Sequence, residues 1–352
     1  MWRCTGPRWS GGGPGAGPEG RFGQRLGWYC AERDAERVSL LPPGKALAFA
    51  AVGERRCLGV RRAGRWLPCP YGAVLESEGV RDQCPACARL DRSRSVAADT
   101  MADDPRPYGV YLAYFGPGLV KVGITAAERG AARLVEQGAV AYAWLGRGPL
   151  MAARRAEAVL GSALGVPDRF AKEAKRAARA ALPPVAERAA ELARLHGAAR
   201  ALAGWPETLE PVAFACVDHT ELFGLARIPA GGAVELGGPA AGAEIVGEVV
   251  AGVGADVYLR LAGDAAEARE AGRASCEGCG GLGGREVGGV HGGGVVAVLD
   301  GRLLSGWVLG PARGRVTTVP VRPAGGSGSA ERGRPGERGK RGEPGEGQEG
   351  LF

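Results

Sequence analysis

Hydrophobic and polar positions change their period three times along the chain. From Tyr108, two apolar runs, Gly109–Phe115 and Leu119–Thr125, flank the turn Gly116-Pro117-Gly118 and predict a β-hairpin. Alanine-rich stretches of helical period follow at about 127–137, 150–164, 168–181 and 185–203, the last two parted by Pro183-Pro184. Beyond Trp205 the pattern is that of strands: Val212–Val217, Glu221–Ile228, Glu244–Val253, Asp256–Leu261, Gly294–Leu299, Leu303–Leu309 and Arg315–Val321, with Asp300-Gly301 as a hairpin-turn signal. Ahead of the hairpin, Ala46–Val52 and Gly59–Arg62 read as short strands interrupted by cysteines.

These patterns predict an α/β multi-domain chain in six parts. Residues 1–39 are a Gly/Pro-rich start without periodicity, expected to be disordered, and 40–91 are a cysteine-bearing β segment. Residues 92–107 are a Ser/Asp/Pro linker, 108–203 a hairpin-plus-helices α/β unit, 205–323 a β-rich barrel or sandwich, and 324–352 a disordered tail. The strands near 46–62 are placed to join the late β unit, with 108–203 inserted between its halves. Five G-x-y triplets from Gly333 to Gly347 are too short a run for a collagen helix and read as flexible charged tail.

Composition narrows the classes. Glycine accounts for 62 of 352 residues and aromatics for only 6%, so the packed part is smaller than the length implies. No run approaches the ~18 apolar residues of a membrane span, and the start lacks the apolar stretch of a secretory signal. The expectation is a cytoplasmic protein with no membrane partner. The net charge of +7 is concentrated: Arg106 to Arg200 holds 15 Lys+Arg against 7 Asp+Glu. A basic unit in a near-neutral remainder points to a polyanion such as nucleic acid. The plainer source is an arginine bias, since only five of the 45 basic residues are lysine. Within 168–200, Arg169, Lys172, Arg176 and Arg179 follow helical spacing and predict a continuous basic stripe for phosphate backbones; a solvated helix face has the same pattern.

Four of the nine cysteines, Cys57, Cys69, Cys84 and Cys87, fall within 31 residues. Cys84-Pro-Ala-Cys87 presents two thiolates to one tetrahedral ion, and two more close the site, so a structural Zn2+ with no open position is expected. Disulfides are the alternative, disfavoured in a reducing compartment. Cys216, His219, Cys276 and Cys279 also have ligand-like spacing and form a weaker second candidate, because Cys216 sits in an apolar run where buried thiols are common.

The hairpin carries the most specific pattern. Gly109-Val110-Tyr111 is followed by Lys121-Val122-Gly123, with nine residues between Tyr111 and Lys121, Arg133 stands on the next helix, and Glu157 on a later one. This order and spacing resemble the GIY-YIG nuclease core, with Arg133 slightly further from the hairpin than is usual. The resemblance implies that Tyr111 helps activate the nucleophile, Arg133 contacts phosphate and Glu157 holds a divalent Mg2+ or Mn2+. Lys121 replaces the second tyrosine; it can neutralise a phosphate but cannot hydrogen-bond as a phenol does. Together with the cysteines and the Glu-Gln-Gly-Ala after Leu134, residues from about Arg56 to Val321 also resemble a bacterial family, domain of unknown function 2797, which has no established activity.

Each site residue has a plainer structural reading. Tyr111 suits a core aromatic, and Arg133 suits a solvated ion pair. Glu157 shares a helix face with Leu150, Ala153, Leu160 and Leu164, so it needs a partner, whether a metal or Arg154. The leading function is nucleic-acid binding with metal-dependent phosphodiester cleavage by Tyr111, Lys121, Arg133 and Glu157. The alternative is a non-catalytic zinc-containing module that binds nucleic acid or protein. A third reading is a scaffold acting through the late β unit.

Overall fold

The computed structural model describes residues 1–10, 22–62, 65–91, 104–262 and 294–323. The chain opens on a three-stranded antiparallel sheet, β1 (Arg3–Ser10), β2 (Gly23–Cys30) and β3 (Ala35–Leu40). This corrects the expectation of a disordered start. Cys4, Trp9, Leu26, Tyr29 and Cys30 are all buried, and glycine and proline around them mask the alternation that would have announced the strands. Gly6, at φ +85°, absorbs a register shift in β1 that few other residues could adopt.

Next come β4 (Ala46–Val52), a small hairpin β5 (Val60–Arg62) with β6 (Arg65–Leu67), and helix α1 (Pro85–Leu90). The hairpin-plus-helices unit follows. Strands β7 (Tyr108–Tyr114) and β8 (Val120–Ala126) pair antiparallel, setting Tyr111 opposite Gly123 and Ala113 opposite Lys121. Helix α2 (Ala132–Glu136) leads into β9 (Ala141–Gly148), which flanks β7 on its other side and had not been expected. Helices α3 (Leu150–Leu164), α4 (Lys172–Arg179) and α5 (Val185–Arg200) complete the unit. β7 is buried along its whole length, and α3 buries Leu150, Ala153, Ala156 and Leu160, the i, i+3, i+6, i+10 stripe of an amphipathic helix. Short strands β10 (Glu210–Pro211) and β11 (Val217–Asp218) both extend the sheet beside β9.

The segment expected as a strand over Glu221–Ile228 is instead α6 (Thr220–Phe223) and a 3-10 turn, because Gly224 in the left-handed region breaks any extended run. The remaining strands are β12 (Val234–Leu236), β13 (Glu244–Val253), β14 (Asp256–Leu261), β15 (Val296–Asp300), β16 (Val308–Pro311) and β17 (Val321–Arg322). With β4 they form a seven-stranded sheet ordered β16-β4-β13-β14-β15-β12-β17, parallel only between β12 and β15. Thus β4 joins the late strands across the inserted hairpin unit. Among the described residues, β16 and β17 are the two edges of this sheet and do not pair with each other. Asp300-Gly301 does not make a hairpin; the Asp300 carboxylate accepts the Arg302 N–H and starts a 3-10 turn.

Two cores hold these layers together. Cys4 and Leu26 of the first sheet share one with Ile245, Val249, Val257 and Leu259 of the seven-stranded sheet. The larger joins Trp9, β7, β8 and α3 to Val250, Val253, Tyr258 and Val298. Between them, Trp9 Nε1 donates to the Gly254 carbonyl at 2.7 Å. Among the described residues no helix is long and apolar enough to cross a membrane.

Candidate functional site

The four expected cysteines meet. Their sulfurs lie within 4.8 Å of one another, with Cys69 Sγ 3.9 Å from Cys84 Sγ. Four thiolates about 2.3 Å from one ion would stand roughly 3.8 Å apart, so the cluster could hold a metal such as zinc. Cys84 is the N-cap of α1 and Cys87 lies in its first turn, so one short helix positions both sulfurs, and burial raises the Cys87 thiol. The Cys84 N–H donates to Cys57 Sγ at 3.2 Å. Burial alone would push the Cys69 thiol up, but N–H donors from Ala73 and Tyr71 and the neighbouring thiols bring it down to about 7. Burial raises the Cys57 thiol, despite the N–H groups of Cys84 and Gly59. Arg55 anchors this segment to the body: its Nε donates to the Ser305 carbonyl at 2.7 Å and its Nη1 to the carbonyls of Glu76, at 2.6 Å, and Gly79.

Of the second candidate centre, only Cys216 and His219 are among the described residues. His219 is buried against Tyr142 and Phe223, and its Nδ1 lies 2.8 Å from the Ala139 carbonyl, which fixes the ring for packing. Cys216 packs against the core, and Cys276 and Cys279 lie outside the described residues.

At the hairpin, Tyr111, Lys121, Arg133 and Glu157 form one electrostatic neighbourhood. Tyr111 feels the charges of Arg133 and Glu157, and Lys121 feels both as well. Lys121 in turn lowers Glu157. Tyr111 is only 2% exposed. Its ring fits because Gly123, opposite it, has no side chain; a Cβ there would fall 2.5 Å from the tyrosine hydroxyl. Gly109 similarly admits Trp144, whose ring would be 2.6 Å from an added Cβ. Gly123→Ala should therefore cost about 1–3 kcal/mol by overpacking. Gly197→Ala in α5, where nothing lies within 4 Å, should gain up to about 1 kcal/mol of helix propensity. Denaturant midpoints moving the same way in both variants would contradict this account.

Burial raises the Tyr111 phenol, and its hydroxyl accepts a 2.9 Å hydrogen bond from Gln137 Nε2. The phenol is thus neutral near pH 7 and not poised as a base. Lys121 is half-buried and pushed down to about 8 by burial and by Arg133; its Nζ donates to the Asp168 carbonyl at 3.2 Å. Burial raises Glu157, which makes no ion pair or hydrogen bond among the described residues; neither does Arg133. Gln137 and Asp168 were missed in the sequence. Gln137 lies one helical turn beyond Arg133, a spacing that could have suggested it. Asp168 arrives because the loop after α3 covers the outer edge of β8, where the Val122 N–H donates to the Pro167 carbonyl at 3.1 Å.

The basic stripe does not survive folding. Arg169 precedes α4 and is 86% exposed beside Asp168, while Lys172 is exposed near Glu173. Arg176 and Arg179 turn inward and pair with Asp256, and Arg176 also pairs with Glu235 at 2.9 Å. Helical spacing holds for Lys172, Arg176 and Arg179, but the acidic partners of the last two come from distant strands, which no local pattern reveals.

The family described as "Protein of unknown function (DUF2797)" matches residues 44–269. The chain belongs to this family. The DUF2797 match runs from the start of β4 through the cysteine cluster and the hairpin unit to just past β14. Both candidate sites of this DUF2797 chain therefore lie inside the family region, while β1–β3 and β15–β17 lie outside it. No curated protein and no solved structure matches the chain.

Proposed function

We propose that the chain is a nucleic-acid-binding protein in which the four cysteines hold a structural zinc ion. In this reading the hairpin unit is GIY-YIG-like and carries phosphodiester cleavage. The carrying observation is the group Lys121, Arg133 and Glu157: three half-buried charges, of which Arg133 and Glu157 both act electrostatically on Lys121 and make no ion pair or hydrogen bond through their side chains among the described residues. Desolvated charges left open in this way are typical of sites that complete themselves with a ligand.

Arg133 and Lys121 would bind phosphoryl oxygens. Glu157, a single carboxylate without a competing ion pair, suits Mg2+ or Mn2+, which commonly rests on one or two carboxylates plus substrate phosphates. Such an ion would supply charge neutralisation on the phosphoryl group. Lys121, pushed down to about 8, could move a proton near neutral pH. Tyr111, sealed and neutral, orients through its hydroxyl.

The burial of Tyr111 also favours a second reading, a binding module without cleavage. A nuclease assay with Mg2+ or Mn2+ on single- and double-stranded DNA and RNA decides between them. Cleavage should fall by at least about 100-fold in Glu157→Gln, the scale of losing a group that acts in the transition state. Binding without cleavage in the wild type selects the second reading, and equal cleavage by both proteins removes Glu157 from the chemistry.

A further inference from the structure

The inner arginines of α4 are spent on Asp256, but arginines also gather on the first sheet and the small hairpin. Arg8 of β1 stands directly opposite Arg25 of β2, and Arg62 of β5 stands directly opposite Arg65 of β6. Residues opposite one another in an antiparallel pair project to the same face, where like charges repel. Arg8 lies across bare backbone: a Cβ added to Gly27 would fall 2.9 Å from its Nε.

One carboxylate joins the two sheets. Glu36 of β3 pairs with Arg8 at 3.2 Å and with Arg61, the neighbour of Arg62, at 3.3 Å. The hairpin is held at this junction by Trp66, which lies opposite Arg61 and stacks on Tyr29 with ring centres 5.4 Å apart. Asp34 accepts from the Tyr29 hydroxyl at 3.3 Å, and the cysteine cluster is buried with Val60. Arg62 and Arg65 are exposed, and their side chains make no ion pair or hydrogen bond among the described residues.

We infer that this arginine face binds the phosphate backbone of a nucleic-acid strand, with Arg62 and Arg65 closing on one phosphate from both sides. Two arginines at cross-strand spacing, about 5 Å between Cβ atoms, can offer paired N–H donors to the oxygens of one phosphodiester. The phosphate in turn relieves the repulsion between them. Arg8 and Arg61 take a neighbouring phosphate in exchange for Glu36. Val38 and Leu40, opposite Gly27 and Arg25 and about half exposed, offer apolar surface to the sugars on the same face as Arg8. This inference rests on the nucleic-acid reading and locates the strand on β1–β3 and β5–β6.

The test is fluorescence anisotropy of the full-length protein with labelled oligonucleotides of DNA and RNA, single- and double-stranded, over a range of KCl concentrations. The double variant Arg62→Gln, Arg65→Gln should bind about tenfold more weakly, and its slope of log affinity against log salt should be shallower by about 1, the value of one lost phosphate contact. Glu36→Gln should bind more tightly than the wild type, because Arg8 and Arg61 are released; a merely structural Glu36 would not give a gain. Wild-type affinity and slope in the double variant, or no gain in Glu36→Gln, overturn this surface while leaving nucleic-acid binding intact. No binding of any strand by the wild type overturns both. Displacement of the bound strand by poly-L-glutamate at equal charge makes the occupant an acidic protein and overturns the nucleic-acid assignment of this face.

Discussion

Cys87→Ser is expected to strip the bound metal and unfold the segment between β4 and α1. The segment has few means of holding itself without the ion: its core consists of the cysteines with Val60, Ala73, Leu75 and Ala86. Apparent binding energies for structural zinc are about 10–16 kcal/mol at neutral pH, comparable with the whole stability of an ordinary domain, about 5–15 kcal/mol. The damage should spread, because Arg55 ties the loop at Glu76 and Gly79 to Ser305. Purified wild type should contain about one zinc per chain by metal analysis. Cys87→Ser should contain essentially none and be cut by protease between residues 53 and 91. A metal-free wild type that resists protease equally would refute the zinc assignment.

Asp256→Asn should produce the next largest loss. Asp256 is 7% exposed and pairs with both Arg176 and Arg179; Arg179 also donates to the Tyr258 hydroxyl at 3.2 Å. Among the described residues, removing the carboxylate charge leaves the two inward-facing guanidinium groups with one paired carboxylate, Glu235 on Arg176, a change worth about 3–5 kcal/mol. Chemical denaturation should show it as a lower midpoint with an unchanged slope. The triple change Asp256→Asn, Arg176→Met and Arg179→Met should recover much of the loss, because both inward-facing guanidinium groups are gone and the Glu235 carboxylate that loses Arg176 is partly exposed. An unstable triple variant together with a stable single one would contradict this account.

The same carboxylate predicts an acid limit. Burial pushes the Asp256 pKa up, but Arg179 and Arg176 outweigh it and hold the acid below its ordinary value of 3.8. A depressed folded-state pKa means that its contribution is complete above the unfolded value and lost as pH falls towards the folded one. Stability should therefore decline below about pH 4–5, and Asp256→Asn should flatten that part of the profile.

What the sequence disclosed follows the reach of each signal. The hairpin was plain because Gly-Pro-Gly separates two apolar runs, and α3 because its apolar stripe is clean over its full length. The cysteine spacing pointed to a cluster that the fold does assemble. β9 was missed because Ala141-Tyr142-Ala143-Trp144 offers no polar alternation when both faces are covered. β1–β3 were missed because their burial is supplied by strands more than 200 residues later, at Ile245 to Leu259. Arg176 and Arg179 were misread for the same reason, their partner being Asp256. The neighbourhood of Tyr111, Lys121, Arg133 and Glu157 was legible as a motif, but the burial of Tyr111 depended on Gly123 standing across from it.

The pairing of β4 with β13 sets an order of events during synthesis. Ala50 meets Glu244, and Phe49 meets Ile245. At ribosomal speeds of about 5–20 residues per second, that interval of about 190 residues takes roughly 10–40 seconds. The hairpin unit has emerged and can settle by then, while Ala46–Val52 still waits without its neighbours. Such long-range closure is slow and leaves a strand edge open to the wrong partner. The nascent chain is therefore most vulnerable to aggregation before Val308–Pro311 has been made and can cover the outer side of that waiting strand.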